Sequence, residues 1–408
     1  MTDRPSPVGP QPGDNRALLS VAVQFFVNGL VVASFVPRLP EIRDRIDVST
    51  GTLGVLLAVG SAAGLLGSLT VGRFIERFGT RRVLIGGALV LVSALAVVGL
   101  ATTPLVFLLG LMALSSMDVH VDSAMNTQGT CISGRRPVPV MNRLHGLWSL
   151  GTVVGGLVAA QAAASGVSLQ THLLVASALF FGVVVFVGRG LLSVDEYAET
   201  AVSGAGDAVS GPVRRRVPLV LLGVASGCSI AMEMTSSDWA AFRLSDDFGA
   251  AAGVAGLAYV AFTAGMTTGR FGGDWLIARF DAERVFNVAI GVTIVALASA
   301  SFVPNQWAVL AAYVFAGLGI ATQFPKLYDD AARFPGRPGA GLGALTGGSR
   351  IALLGTPAIV GGLAGTSLSV GAATAIVTLP AAAIFLMVSR RLPSSSAASG
   401  SGEQRPPR

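Results

Sequence analysis

The sequence predicts an all-α integral membrane protein whose twelve transmembrane helices form two pseudo-symmetric halves of six. Composition, the number of apolar stretches and an internal repeat lead to this fold class. Of the 408 residues, 52% are hydrophobic and only 12% are charged, and the mean hydropathy is +0.68. Soluble domains carry about 25% charged residues, so this chain has too little polar surface to remain in water.

Composition and charge also exclude other classes. The 52 glycines show no triplet period, which excludes a collagen-like chain. The two cysteines, Cys131 and Cys228, are too few for a disulfide scaffold. The net charge of +6 comes from basic residues that recur between apolar stretches and form no single patch. This distribution indicates orientation in a membrane, and we expect no nucleic-acid partner.

Twelve apolar stretches of about 20 residues each have the length that crosses ~30 Å of hydrocarbon. Six lie within residues 17–191 and six within residues 217–389, separated by a polar linker at 192–216. Residues 1–16 and 390–408 are predicted to be disordered cytoplasmic tails. The predicted spans are residues 17–37, 50–71, 82–101, 104–129, 143–164, 169–191, 217–240, 250–273, 284–303, 306–328, 340–364 and 368–389.

The arginines predict the orientation. With a cytoplasmic amino terminus, the inner loops hold most of the arginines, and the outer loops hold only Arg38, Arg43, Arg45 and Arg243. Basic residues concentrate in cytoplasmic loops. We therefore expect a multi-pass protein of the plasma membrane with both termini in the cytoplasm.

The two halves also resemble each other in sequence. LGTVVGGLVA at 150–159 is echoed by LGTPAIVGGLA at 354–364, an offset of 204 residues. RFGTRRV from Arg77 is echoed by RFDAERV from Arg279, and Arg38 by Arg243, at offsets of 202 and 205. Six-helix halves repeated in the same direction are a transporter architecture with its substrate site between the halves near the bilayer midplane.

The segment GRFIERFGTRR at 72–82 resembles the signature loop of the major facilitator superfamily (MFS), with Glu where Asp is usual. A weaker second copy is GRFGGDWLIARFDAER at 269–284. The resemblance implies a cytoplasmic gate that pairs in one conformation and separates in another. The alternative is a basic inner loop that serves orientation only. The residues that fill the two patterns are Gly72, Glu76, Arg77, Gly79, Arg81 and Arg82, then Arg270, Asp274 and Arg279.

Three further segments resemble bacterial permeases related to fucose permeases: PRLPEIRDR at 37–45, residues 118–129, and LHGLWSLG at 144–151. This branch implies import. The chain departs from it in the first span, where Gln24 and Asn28 stand in place of a carboxylate. The fifth span also lacks the Gly-Pro pair of many drug antiporters.

Polar residues within the predicted spans are the site candidates, because ionisable groups at membrane depth are costly and usually functional. Asp118, Asp122 and Asn126 follow i, i+4, i+8 spacing, so they share one helix face. We expect them to line a polar pathway that includes Asn28. The alternative is a structural hydrogen bond to a neighbouring span.

His145, Glu233 and Arg350 lie in the fifth, seventh and eleventh predicted spans. His145 either relays protons or packs at the inner interface. Arg350 near the midplane needs a carboxylate or an anionic ligand, and Glu233 and Asp118 are the available acids. Asp238 and Trp239 are expected at the interface, and Lys326, Asp329 and Asp330 as a structural ion-pair cluster.

Together these features predict a secondary active transporter that moves a small polar or amphipathic solute by alternating access. The expected driver is the proton, carried by Asp118 or Asp122 with Arg350 as charge partner. An efflux antiporter is the close alternative; a membrane-embedded enzyme and a non-transporting sensor are less favoured. The sequence has no phosphate-binding loop, nucleophile elbow or metal cluster, so we expect no cofactor. The expected partners are the solute, protons and the lipid bilayer, and the expected state is a monomer.

Overall fold

The computed structural model describes residues 13–136, 138, 140–193, 216–332, 334 and 340–391, and these residues fold into helices without a strand. The first half contains α1 (Asp14–Phe35), α2 (Leu39–Arg45), α3 (Thr50–Leu100), α4 (Pro104–Gly134), α5 (Met141–Ala164) and α6 (Leu169–Val187). The second half contains α7 (Arg216–Asp238), α8 (Ala240–Phe248), α9 (Ala252–Arg279), α10 (Ala282–Phe302), α11 (Gln306–Ile320), α12 (Gln323–Ala332), α13 (Ala340–Ala364) and α14 (Val370–Ser389).

The predicted twelve-helix fold is confirmed. Nine stretches of the described residues are long and apolar enough to cross a membrane, and one of them, Thr50–Leu100, contains two spans. Helices α9 and α13 supply the eighth and eleventh spans. The short helices α2 and α8 follow the first and seventh spans, so both halves begin with the same order of elements.

The structure corrects three predicted boundaries. Residues 72–82 form no loop: α3 stays helical except at Gly79, whose φ of 76° and ψ of 156° break it into residues 50–78 and 80–100. A positive φ favours glycine, which has no Cβ to clash. Helix α1 begins at Asp14, inside the predicted tail, and the tenth span is interrupted after Ile320. Most of the predicted linker and tails lies outside the described residues.

Side-chain caps explain where several helices begin. The Ser49 hydroxyl accepts a hydrogen bond from the backbone nitrogen of Thr52. Ser168 and Ser369 cap α6 and α14 in the same way. Such caps satisfy backbone N–H groups that have no partner within the helix.

The two halves pack closely at one end of the bundle, which we call the sealed end: α2, α8 and the turn from α13 to α14. Here residues 50–78 of α3 cross α13 at glycines. A Cβ at Gly54 would lie 2.5 Å from the Pro357 carbonyl oxygen, and one at Gly361 would lie 2.7 Å from Gly54 Cα. Small residues allow such close contact between membrane helices. A larger side chain at either glycine would therefore separate the halves.

Arg38 and Arg243, the arginines matched in the repeat, hold the sealed end within each half. Both are buried. Arg38 Nε donates to Glu41 Oε1 at 2.9 Å, and its Nη2 donates to the Val167 carbonyl oxygen at 2.9 Å. Arg243 donates to Asp247 Oδ2 at 2.7 Å and to the Ala300 carbonyl oxygen at 3.0 Å. Arg38 thus ties the start of α2 to the connection between α5 and α6, and Arg243 ties α8 to the end of α10.

Candidate functional site

A cavity of about 180 Å³ lies between the two halves and borders the sealed end. Helices α1, α3 and α4 line it from the first half, and α7 and α13 line it from the second. Its walls are largely aliphatic and aromatic, and include Val31, Phe35, Leu57 and Leu111. The polar side chains on its surface are Ser61, Ser115, Asp118 and Asp238.

Asp118 lines this cavity and contacts α1. Asn28 Nδ2 donates a hydrogen bond to Asp118 Oδ1 at 3.2 Å. Asn28 is only 3% exposed, and its Oδ1 is buried with no hydrogen-bond partner among the described residues. The sequence predicted Asn28 and Asp118 as pathway residues; the structure brings them together across α1 and α4.

Asp122 and Asn126 continue the same face of α4 beyond the cavity. Asn126 Nδ2 donates to Asp122 Oδ1 and to the Asp122 backbone oxygen, both at 2.9 Å. Asp122 is exposed in this conformation and does not line the cavity. The shared face was predicted from spacing, but the structure distinguishes the two aspartates by their surroundings.

Glu233 is paired with Arg270, which corrects the predicted partner of Arg350. Arg270 Nη2 lies 3.6 Å from Glu233 Oε1, and Arg270 Nη1 donates to Ser149 Oγ at 3.4 Å. Arg350 is half-buried and forms no ion pair within the described part of the chain. Arg270 takes this role because α9 remains helical to Arg279 and carries Arg270 into the bundle.

His145 packs against α1. Its ring lies edge-on to the Phe25 ring, with centroids 5.3 Å apart and an interplanar angle of 77°. Of the two roles that the sequence left open for His145, proton relay and packing, this contact fits packing. Another histidine, His120, lies between α4 and α3, where Nδ1 is 2.8 Å from the Ser116 carbonyl oxygen and Nε2 is 3.2 Å from Thr70 Oγ1.

The MFS-like segments lie at the end of the bundle opposite the sealed end. Gly72, Glu76, Arg77 and Arg82 are exposed, and Glu76 makes no ion pair with any described residue. Arg81 donates to the Arg189 carbonyl oxygen at 3.5 Å.

The second MFS-like copy lies on α9. Arg279 is exposed at the end of this helix, and Asp281 caps α10 through the backbone nitrogens of Glu283 and Arg284. Asp274 lies on α9, and its side chain is outside the described part of the structure.

Asp238 is the site residue that sequence analysis missed. It was expected at the membrane interface, yet it lines the cavity, where Ser237 Oγ donates to its Oδ1 at 2.8 Å. Helix α7 ends at Asp238 and α8 follows directly. The position of Asp238 at a helix end gave no signal that its side chain would line the cavity. Of the expected cluster of Lys326, Asp329 and Asp330, the Lys326–Asp330 ion pair is present, with Lys326 Nζ 2.7 Å from Asp330 Oδ2. The side chain of Asp329 is outside the described part of the structure.

Comparison with known proteins gives relatives over most of the chain, although no family model matches the sequence. Membrane protein MosC of Rhizobium meliloti is 27% identical over 334 residues, which covers 81% of this chain and 80% of that protein. An uncharacterized MFS-type transporter of Yersinia pestis is 25% identical over 323 residues, covering 79% and 81%.

Solved structures share the fold at low sequence identity. A bacterial homolog of the human lysosomal transporter Spinster, in an inward-facing and occupied conformation, has a TM-score of 0.70 at 14% identity, covering 94% of this chain and 98% of that one. The nucleoside transporter NupG has a TM-score of 0.69 at 12% identity, covering 92% and 97%. The Escherichia coli fucose:proton symporter FucP has a TM-score of 0.58 at 15% identity, covering 92% and 98%.

The twelve-helix fold, the cavity between its halves and these relatives define a multi-pass membrane transporter. In sequence and fold the chain is similar to transporters of the major facilitator type, so the resemblance inferred from Gly72–Arg82 is confirmed.

Proposed function

We propose that this protein is a proton-coupled secondary transporter that moves a small amphipathic solute across the membrane by alternating access. The observation that carries the proposal is the Asp118 carboxylate in a cavity between the two halves. A carboxylate in such a place can take up and release a proton as its surroundings change during the cycle. Asn28, its hydrogen-bond partner, lies on α1 of the same half.

The walls and size of the cavity support a small solute with an apolar part. At ~30 Å³ per water molecule in the liquid, 180 Å³ corresponds to about six waters. This is smaller than the ~300–1,000 Å³ of pockets for drug-sized ligands. The aliphatic and aromatic side chains around it favour an apolar body, and the carboxylates and serines favour a polar group.

The difference between the two ends supports alternating access. At the sealed end the halves are joined by Arg43 of α2, which donates to both carboxylate oxygens of Asp246 of α8 and lies 5.3 Å from the Phe242 ring centroid. We call Arg43, Phe242 and Asp246 the latch. At the opposite end the residues of the first MFS-like segment are mostly exposed. We infer that this segment forms its pairs when that end closes and the latch opens.

Transport in proteoliposomes tests the proposal. Purified protein is reconstituted with a pH-sensitive dye inside, and small amphipathic solutes are added with and without an imposed pH gradient. We expect that adding at least one of these solutes changes the pH inside the vesicles, and that this change requires the protein. For one proton per solute, a gradient of one pH unit sustains about tenfold accumulation or depletion. Symport accumulates the solute on the alkaline side of the membrane, whereas antiport accumulates it on the acidic side. The side of accumulation therefore distinguishes import from efflux. Solute transport that ignores the pH gradient would contradict proton coupling.

We further propose that the sealed end faces the outside of a bacterial plasma membrane and that both termini are cytoplasmic. The arginine asymmetry supports this orientation. On a background without Cys131 and Cys228, Ser367→Cys at the sealed end should react with an impermeant thiol reagent in intact cells. Glu283→Cys, exposed at the opposite end, should react only after the cells are opened. The reverse labelling pattern would show that the orientation is inverted.

A further inference from the structure

We propose that the cavity binds a small organic ammonium ion, a cation that carries N–H donors on an apolar body. The inference rests on the proposed function and names its substrate class. It also favours one of the two directions of coupling. The residues that carry it are Asp118, Asp238 and Asn28.

The charge of the cavity favours a cation. Asp118 on α4 and Asp238 on α7 bring two carboxylates from opposite halves to one cavity. Its described lining contains no Arg, Lys or His. Neither Arg270, which is paired with Glu233, nor Arg350 is among the residues that line the cavity. A carboxylate removed from water is costly unless a counter-charge or a proton neutralises it, so the site favours a cationic occupant.

An unused hydrogen-bond acceptor beside Asp118 favours a ligand with N–H donors. Asn28 Oδ1 is buried beside Asp118 and accepts no hydrogen bond from any described residue, while Nδ2 of the same amide donates to Asp118. An unsatisfied buried acceptor costs about 1–3 kcal/mol. A primary ammonium has three donors and no acceptor. It can therefore serve both a carboxylate and the free amide oxygen at once.

The apolar walls of the cavity favour an organic cation over a metal ion. Val31, Phe35, Leu57 and Leu111 surround the acids with apolar surface that a bare metal ion would not use. The described residues also contain no group of three or more His, Cys, Asp or Glu side chains arranged to hold a metal. An apolar body attached to the ammonium would bury against these walls, and burial contributes about 25 cal/mol per Å² of apolar surface.

An ammonium substrate has a consequence for coupling. A proton on Asp118 removes the negative charge that attracts the ammonium, so the two cations compete for one carboxylate. Binding of one then favours release of the other. Competition of this kind produces exchange of protons for solute, which favours the efflux antiporter over the importer.

Calorimetric titration of the purified full-length protein at pH 7 tests the inference with two ligands of one skeleton, 2-phenylethylammonium and 2-phenylethanol. We expect the ammonium to bind about tenfold or more tightly than the alcohol. Asp238→Asn should lower ammonium affinity by about tenfold, roughly 1.4 kcal/mol, while binding of the alcohol is unchanged and shows that the variant is folded. Asp330→Asn, which removes an acid paired with Lys326 away from the cavity, is the matched control and should bind both ligands as the parent does.

Equal affinity for the two ligands, or no binding of the ammonium, would overturn the inference. A preference for ammonium that survives both Asp238→Asn and Asp118→Asn would also overturn it, because the cation would then bind elsewhere. If a neutral solute causes proton movement in proteoliposomes and the ammonium fails to bind, only this inference is refuted. The proposed proton-coupled transport would stand in that case.

Discussion

Replacing Asp118 by Asn is expected to abolish solute accumulation driven by a pH gradient while solute-for-solute exchange persists. Asn keeps the size of the side chain and can still accept a hydrogen bond from Asn28 Nδ2. In the parent protein this nitrogen lies 3.2 Å from Asp118 Oδ1. It cannot bind and release a proton. Exchange at saturating solute should continue because Asp238 and the apolar walls remain. With a gradient of one pH unit, the accumulation ratio should fall from about tenfold to about one.

Asp122→Asn is the matched control. It makes the same change of charge one helical turn along α4, at an exposed residue outside the cavity whose Oδ1 accepts from Asn126. We expect this variant to accumulate solute as the parent does. If Asp118→Asn also accumulates solute with unchanged pH dependence, the proton carrier is another residue, and Glu233, paired with Arg270, is the next to test.

Replacing Arg43 by Ala is expected to open the sealed end. The substitution removes both hydrogen bonds to Asp246 and the contact with Phe242, which join α2 to α8. Hydrogen bonds between charged groups contribute about 1.5–3 kcal/mol, and 1.4 kcal/mol changes a conformational ratio about tenfold. The latch is partly exposed, so solvent screening places the expected shift at the lower end, about tenfold. The reporter is Ser61→Cys, which lies in the cavity. Its labelling by an impermeant reagent in intact cells should become about tenfold faster.

Two variants control this experiment. Arg45 lies on the same short helix but donates to Gln170 within its own half at 3.1 Å, so Arg45→Ala should leave labelling of Ser61→Cys unchanged. Exchanging the charges, with Arg43→Asp and Asp246→Arg together, should restore slow labelling. A parental labelling rate in Arg43→Ala, in protein that still transports, would show that glycine packing of α3 on α13 seals this end without the latch.

Much of the fold and part of the site could be predicted from local sequence. The bilayer requires every span to satisfy its own backbone hydrogen bonds over ~30 Å, so long apolar runs revealed the helices. The helical period placed Asp118, Asp122 and Asn126 on one face. The break at Gly79 was read as a loop because a single left-handed glycine between helical arms has the same sequence signal as a turn.

The sequence by itself determined the class of the protein, its twelve helices, its repeat and the face of α4 that carries the acids. Only the tertiary structure decided that Asp118 meets Asn28, that Arg270 rather than Arg350 pairs with Glu233, and that Asp238 reaches the cavity. The physical reason is that hydropathy and periodicity act within one helix. Which residues meet across helices depends on rotation, depth and crossing of separate helices, and these are set by packing at contacts such as Gly54 with Gly361.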